Sequence, residues 1–267
     1  MVPPLGRPDL SARLVTLAIS HYCEKARWAL DRAGIAFLEE RHIQGIHMLA
    51  SRRAGGHGTV PVLRSGGTVL GESAQIVRWA DARGARLLPA DAAARARVEA
   101  LARGFDQDLG VQGRRWMYWE MLPHPELLAS FNCLGVPAWE ARGFRAAYPI
   151  LARLGRRALD ITPEPVARAR ERVHATFDAV AQRLADGRPH LTGDAFTAAD
   201  LTFAALSASV LVPPQYGSPL PQPGELPAGT AREVRALREH PAGRFALRLY
   251  AEERGVRAAG PRAPVHP

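Results

Sequence analysis

The chain has 267 residues, an ordinary apolar fraction and evenly spread charges, which allow one large or two modest folded domains and exclude a disordered polypeptide. No apolar run approaches the roughly 18–20 residues that cross a bilayer, so a membrane-spanning helix is excluded. The net charge of +9 is carried almost entirely by arginine, with Lys25 the only lysine, and the arginines are interleaved with acids, as in Arg168-Ala-Arg-Glu-Arg172. This reads as GC-rich coding and a solvated basic surface, not as a nucleic-acid site.

Cys23 and Cys133 are the only cysteines, far apart, which suits free thiols in a reducing, cytoplasmic compartment. Residues 1–12 carry three prolines and no hydrophobic stretch, so a secretory signal is not expected.

In chain order, residues 14–19 are a short apolar, partly β-branched run that reads as a buried strand. After Ser20 the pattern turns helical: Cys23, Ala26, Leu30 and Ala33 form one stripe, and Gly34 supplies the stop. Residues 35–43 are a second strand candidate and 46–53 a short helix, ended by Ala54-Gly-Gly-His-Gly58. Residues 60–63 and 68–70 flank Arg64-Ser-Gly-Gly67, which reads as a hairpin turn, and 73–83 form a closing helix. The order β-α-β-α-β-β-α predicts one sheet with parallel and antiparallel strands.

From about Asp91 the strand signal disappears, and helical periodicity marks 91–121, 138–160, 164–186 and 198–212. The expected organisation is therefore an α/β domain over 13–84, a linker over 84–90 and an all-helical domain over 91–256. Residues 213–230, rich in proline and glycine, leave a lid or binding loop and plain disorder both open. Residues 257–267 read as a loose tail.

Four short signatures stand within this frame: Ser20-His-Tyr-Cys-Glu-Lys-Ala-Arg27, Thr59-Val-Pro-Val-Leu63, Gly71-Glu-Ser-Ala-Gln-Ile76 and Gly193-Asp-Ala-Phe-Thr-Ala-Ala-Asp-Leu201. Each is weak alone. In this order and spacing they make the chain resemble the glutathione transferase superfamily over nearly its whole length. The resemblance implies a thioredoxin-like N-terminal domain that holds glutathione as co-substrate, followed by an all-helical domain that contributes a pocket for a small apolar electrophile. It also implies a homodimer, with the α/β domain of one subunit against the helical domain of the other, and neither a metal, a nucleic acid nor a membrane as partner.

Within the resemblance Ser20 is the catalytic position, where related proteins hold Cys, Ser or Tyr. Unpaired amides and the helix dipole favour negative charge there, and a hydroxyl can donate to the glutathione sulfur. From the residues alone Ser20 also reads as a simple N-cap. Cys23 stands at the second cysteine position of a glutaredoxin-like C-x-x-C motif whose first position is serine; it is either a buried hydrophobe or a redox residue. His21 and Tyr22 read as packing.

In the family the counterpart of Pro61 is cis, so that Val60 pairs with the cysteinyl part of glutathione as an added strand would. The resemblance gives Glu72 the γ-glutamyl amine and Ser73, at a helix N-terminus, the γ-glutamyl carboxylate. Arg52, Arg53 and His57 all stay open as partners for the glycyl carboxylate. Thr197 and Asp200 form a capping-box pattern. Trp116, Tyr118 and Trp119 lie on the helix that borders the electrophile pocket in the family, and each is either core or ligand contact. The implied activity is conjugation of glutathione to apolar electrophiles. The alternatives are thiol–disulfide or peroxidase chemistry on Cys23, or a non-catalytic binding protein of the same fold.

Overall fold

Four short strands begin the described part of the chain, β1 (Arg13–Thr16), β2 (Leu38–Arg41), β3 (Val62–Ser65) and β4 (Thr68–Leu70), in the spatial order β2-β1-β3-β4. The computed structural model describes residues 12–254, so the readings made for residues 1–11 and for the 257–267 tail lie outside the described residues. β1 and β2 run parallel, which requires a crossover, and α1 (His21–Arg32) supplies it. β3 runs antiparallel to both β1 and β4. With α2 (Ile46–Arg53) and α3 (Ser73–Ala80) this completes the expected thioredoxin-like α/β unit. Its core joins Leu14 and Leu63 of the sheet to Ala26 and Leu30 of α1 and Ile76 of α3.

Several boundaries differ from the sequence reading, and β2 covers only Leu38–Arg41 of the expected 35–43. β1 stops at Thr16, because the chain turns away after it and the Ser20 amide bonds back to the Leu17 carbonyl. The hairpin is tighter than a four-residue turn: Ser65 pairs with Thr68, leaving only Gly66 and Gly67, at φ +52° and +83°. Both central residues of such a loop need positive φ, which glycine adopts without steric penalty. α3 ends at Ala80 and widens into a π-helical turn over Asp81–Ala85, whose Asp81 carboxylate accepts from the Leu87 and Leu88 amides.

The rest is helical: α4 (Ala92–Gln107), α5 (Leu109–Met121), α6 (Pro125–Asn132), α7 (Ala138–Ala158), α8 (Pro163–Arg183), α9 (Ala198–Leu211), α10 (Ala228–Glu239) and α11 (Pro241–Glu252). The helix expected over 91–121 is broken at Asp108. In a continuous helix the Asp106 carbonyl would accept from residue 110; here it accepts from the Tyr22 hydroxyl at 2.7 Å. A side chain at Gly110 would collide with that same hydroxyl. α1 thus sets the break. Helices α6, α10 and α11 were not anticipated.

α9 is buried on nearly every side, as expected for the central helix of an all-helical layer. Its capping box is present, with the Thr197 amide on Asp200 at 2.8 Å, and the other Asp200 oxygen takes the Leu191 amide at 2.7 Å. The largest core cluster crosses from one unit to the other: it joins Trp28 of α1 to Phe177, Phe203 and Leu249, with Trp28 directly against Phe196 and Tyr250.

Residues 213–227 are a packed strap between α9 and α10, with Tyr216, Ser218 and Leu226 buried, so the disorder reading is set aside. The Tyr216 hydroxyl donates to the Ile19 carbonyl at 3.1 Å, and the Gly217 amide donates to the fully buried Glu24 carboxylate at 3.0 Å. Glu24 also takes Arg254 at 2.6 Å, while Arg27 and Arg41 hold Glu39 at 2.6 and 2.9 Å. Buried pairs of this kind add little net stability, but removing one partner strands the other charge at a cost of about 3–5 kcal/mol.

Candidate active site

Ser20 is the residue at which the sheet hands over to α1. Its backbone is extended (φ −72°, ψ 119°), and its Oγ accepts from the Cys23 amide at 3.4 Å, so the N-cap reading is realised. Capping does not consume the hydroxyl: it has two acceptor lone pairs and one proton, and that proton is free to donate elsewhere. Ser20 is half-buried and lines a cavity of about 190 Å³.

One wall of the cavity comes from the α/β unit, through Leu17, Ile19, Ser20, Thr59 and Val60. The facing wall comes from α5, α6, the end of α9 and the strap, largely as Met, Leu, Phe and Val side chains. The Val60–Pro61 peptide is cis, and the β3 ladder begins only at Val62, so the Val60 peptide lies beyond the strand register. The structure therefore brings Ser20 and Val60 together at the cavity, with the buried Pro61 behind Val60.

Glu72 and Ser73 are not part of the cavity wall. Glu72 is the exposed N-cap of α3 in extended conformation, its carboxylate without a capping bond, and Ser73 is the buried first residue of the helix. They present one carboxylate, one hydroxyl and the first amides of a helix side by side, a set suited to an amine and a carboxylate on neighbouring atoms. All three cations considered for the glycyl end, Arg52, Arg53 and His57, are exposed, and the Arg52 guanidinium lies over Gly58, about 3.4 Å from where a Cβ would stand. Arg52 is thus beside the Thr59–Val60 wall.

Cys23 is fully buried. Burial pushes its thiol above the ordinary range, against the pull of Arg27 and the Ser20 hydrogen bond. His21 is also buried; burial and the nearby Arg114 charge bring it down to about 3, against its hydrogen bond to the Gly110 carbonyl. The neutral ring donates from Nε2 to that carbonyl at 3.0 Å. Tyr22 is pushed up to about 12 by burial, Arg114 opposing. His21 thus ties α1 to the start of α5 and Tyr22 ties it to the end of α4, and both residues also line the cavity.

Of the aromatic trio, Tyr118 lines the cavity, Trp116 is core against His174 and under Arg170, and Trp119 packs on the α5–α7 cluster. The Tyr118 hydroxyl accepts from Gln44 at 3.0 Å, and Gln44 also donates to Asn132 at 2.8 Å. The buried Glu140 takes the Ile43 amide at 3.0 Å and lies 2.8 Å from His42 Nδ1. These bonds pin the β2–α2 loop to α5–α7. Sequence reading missed them, along with Arg114, His47 and the α6 side of the wall. Among the described residues no His/Cys/Asp/Glu group could hold a metal ion, and no helix is long and apolar enough to cross a membrane.

A family model described as "Glutathione S-transferase, N-terminal domain" matches residues 14–86, and one described as "Glutathione S-transferase, C-terminal domain" matches 163–214. Among solved structures, the chain is similar to a glutathione S-transferase from Xanthobacter autotrophicus Py2, with 23% identity over 91% of this chain and 93% of that one and a TM-score of 0.54. It is similar to a theta class glutathione S-transferase from Xanthomonas axonopodis pv. citri with glutathione bound: 21% identity, 93% and 99% coverage, TM-score 0.55. The beta-etherase LigF from Sphingobium sp. strain SYK-6 aligns at 16% identity over 89% and 99%, with a TM-score of 0.55. At these identities the structural likeness speaks for the fold. No curated protein matches the chain significantly.

Proposed function

Because the chain belongs to the glutathione transferase superfamily, we propose that it binds glutathione along its α/β unit and joins the sulfur to a small, mainly apolar electrophile in the cavity. The observation that carries this reading is the position of Ser20: it caps α1, so the positive end of the helix and a spare hydroxyl proton meet at the wall of an apolar cavity. In this reading the glutathione thiol releases its proton to solvent and the hydroxyl and helix end stabilise the thiolate. Sulfur then forms its bond to carbon as the leaving group departs with its electron pair or a ring or double bond opens. Each unit of thiol pKa depression is about 1.4 kcal/mol of preference for the thiolate, and the cavity supplies proximity.

Val60, beside cis-Pro61, pairs with the cysteinyl backbone of glutathione; Glu72 and Ser73 hold the γ-glutamyl end, and Arg52 the glycyl carboxylate. The buried, proton-retaining Cys23 gives the redox alternative no support. The test is calorimetry of glutathione with the wild type and Glu72→Ala, followed by a screen of aryl halides, epoxides, isothiocyanates and mixed disulfides. Loss of the Glu72 contact should weaken glutathione by about 1.5–3 kcal/mol. A wild type that neither binds glutathione nor conjugates any of these compounds would overturn the proposal.

A further inference from the structure

One face of α5 forms the cavity floor through Arg114, Met117, Tyr118 and Met121, at i, i+3, i+4 and i+7. This is the spacing of an apolar stripe, and a guanidinium heads it. Arg114 makes no hydrogen bond or ion pair with any described residue. Its neighbour Arg115, about 100° further round the helix, donates instead to the Leu159 carbonyl at 2.9 Å and to Gln112 at 2.8 Å. The arginines on the α/β side of the same region, Arg27 and Arg41, are both paired with Glu39.

Among the described residues no carboxylate lines the cavity; its other polar groups there are hydroxyls and histidines. Burial lowers His47, and burial with the Arg114 charge lowers His21, so among the described residues of the wall Arg114 is the one charged at neutral pH. Its charge also pulls Tyr22 and Tyr118 down, against the upward push of burial. Tyr118 stands one turn further along, the distance at which helix side chains are neighbours. Its hydroxyl accepts from Gln44 and keeps its own proton to donate. A half-buried guanidinium with its whole donor fork unused, one helical turn from a free hydroxyl proton, matches the two oxygens of a carboxylate.

We propose that the second substrate is an anionic electrophile, an apolar body with a carboxylate that Arg114 and Tyr118 hold on the floor of the cavity. The proposal rests on the conjugation reading above and narrows its substrate class. Ser20 and the α1 terminus already serve the thiolate, so the Arg114 charge is available for the partner of the reaction.

The probes are para-chloro-meta-nitrobenzoate and its methyl ester, which share one reaction: sulfur bonds to the ring carbon and chloride leaves. For each, kcat/KM is divided by the uncatalysed rate with glutathione. The wild type should favour the acid over the ester by about tenfold or more. Arg114→Gln should lower kcat/KM for the acid about tenfold more than for the ester, chiefly through KM, and Arg114→Lys should keep part of the preference. Equal losses for acid and ester, or a wild type that prefers the ester, would overturn the proposal and assign Arg114 to the thiolate or to the scaffold.

If neither probe is conjugated, the conjugation reading is judged by the wider electrophile screen, and the anion site is decided by calorimetry of the same two probes. Tighter binding of the acid by wild type, weakened by salt and by Arg114→Gln, supports the site; equal affinities for acid and ester refute it.

Discussion

Replacing Ser20 separates two jobs that one oxygen performs. The cap bond from the Cys23 amide is long, 3.4 Å, which puts its worth toward the lower end of the usual N-cap range of about 0.5–2 kcal/mol. Ser20→Ala loses that bond and the proton donor together. Ser20→Gly loses the donor but caps nearly as well, within a few tenths of a kcal/mol, and the residue's φ of −72° is ordinary for either substitute. The donated hydrogen bond to a thiolate is worth about 1.5–3 kcal/mol, equivalent to one to two units in the bound thiol pKa and about 10- to 150-fold in rate near neutrality. Ultraviolet titration of the bound thiolate, kcat/KM against pH and urea unfolding should therefore disagree in a defined way. Both variants lose rate equally, only the alanine variant loses stability, and the rate deficit closes as pH rises past the shifted thiol pKa. A glycine variant with unchanged rate and unchanged thiol pKa would reduce Ser20 to a helix cap and refute the reasoning.

Cys23→Ala should conjugate at close to the wild-type rate and lose on the order of 1 kcal/mol of stability to the vacated volume; peptide mapping that found glutathione on Cys23 of the native protein would restore the redox reading. Acid should destabilise the fold in two overlapping steps. Glu39 is held at about 2, because Arg27 and Arg41 outweigh the upward push of burial, against 4.5 when exposed. Its contribution is full above pH 4.5 and is lost as pH falls toward 2, on the order of 3 kcal/mol in all. His21, at about 3 folded and 6.5 unfolded, acts in the same sense from higher pH, since the unfolded chain takes up its proton first; urea midpoints that stay flat from neutrality to pH 4.5 would contradict the His21 assignment, and midpoints that stay flat from pH 4.5 to 2 the Glu39 one. Exposed apolar side chains stand on the α/β unit (Met48, Leu49, Val69) and on α7 (Trp139, Ile150, Leu154), and light scattering at micromolar concentration should give twice the 29.0 kDa chain mass, a monomer mass counting against the homodimer.

What could be read from sequence was what is decided locally. The bounds of α2 follow from its own residues and the glycine break after it, and the capping box at Thr197 and Asp200 is four residues long. Ser20, the Val60–Pro61 pair and Glu72–Ser73 could be named because each sits at a junction whose chemistry is that of a helix end or a strand start. The break at Asp108 could not be read, because its causes are His21 and Tyr22, 89 and 84 residues away from the carbonyls they bond. Helix α11 was hidden by Pro241, and α6 by Pro125, which punctuate a sequence but also fit the first turn of a helix. The strap has the composition of a disordered linker; a buried carboxylate on α1 orders it. The same division runs through the site. The groups proposed to hold glutathione fall within 14–86, where a family model matches, while α5 and α6, which shape the cavity, fall between the two matched segments. Arg114 was invisible among so many arginines, because what distinguishes it is a missing partner, and a missing partner is a property of the folded chain alone.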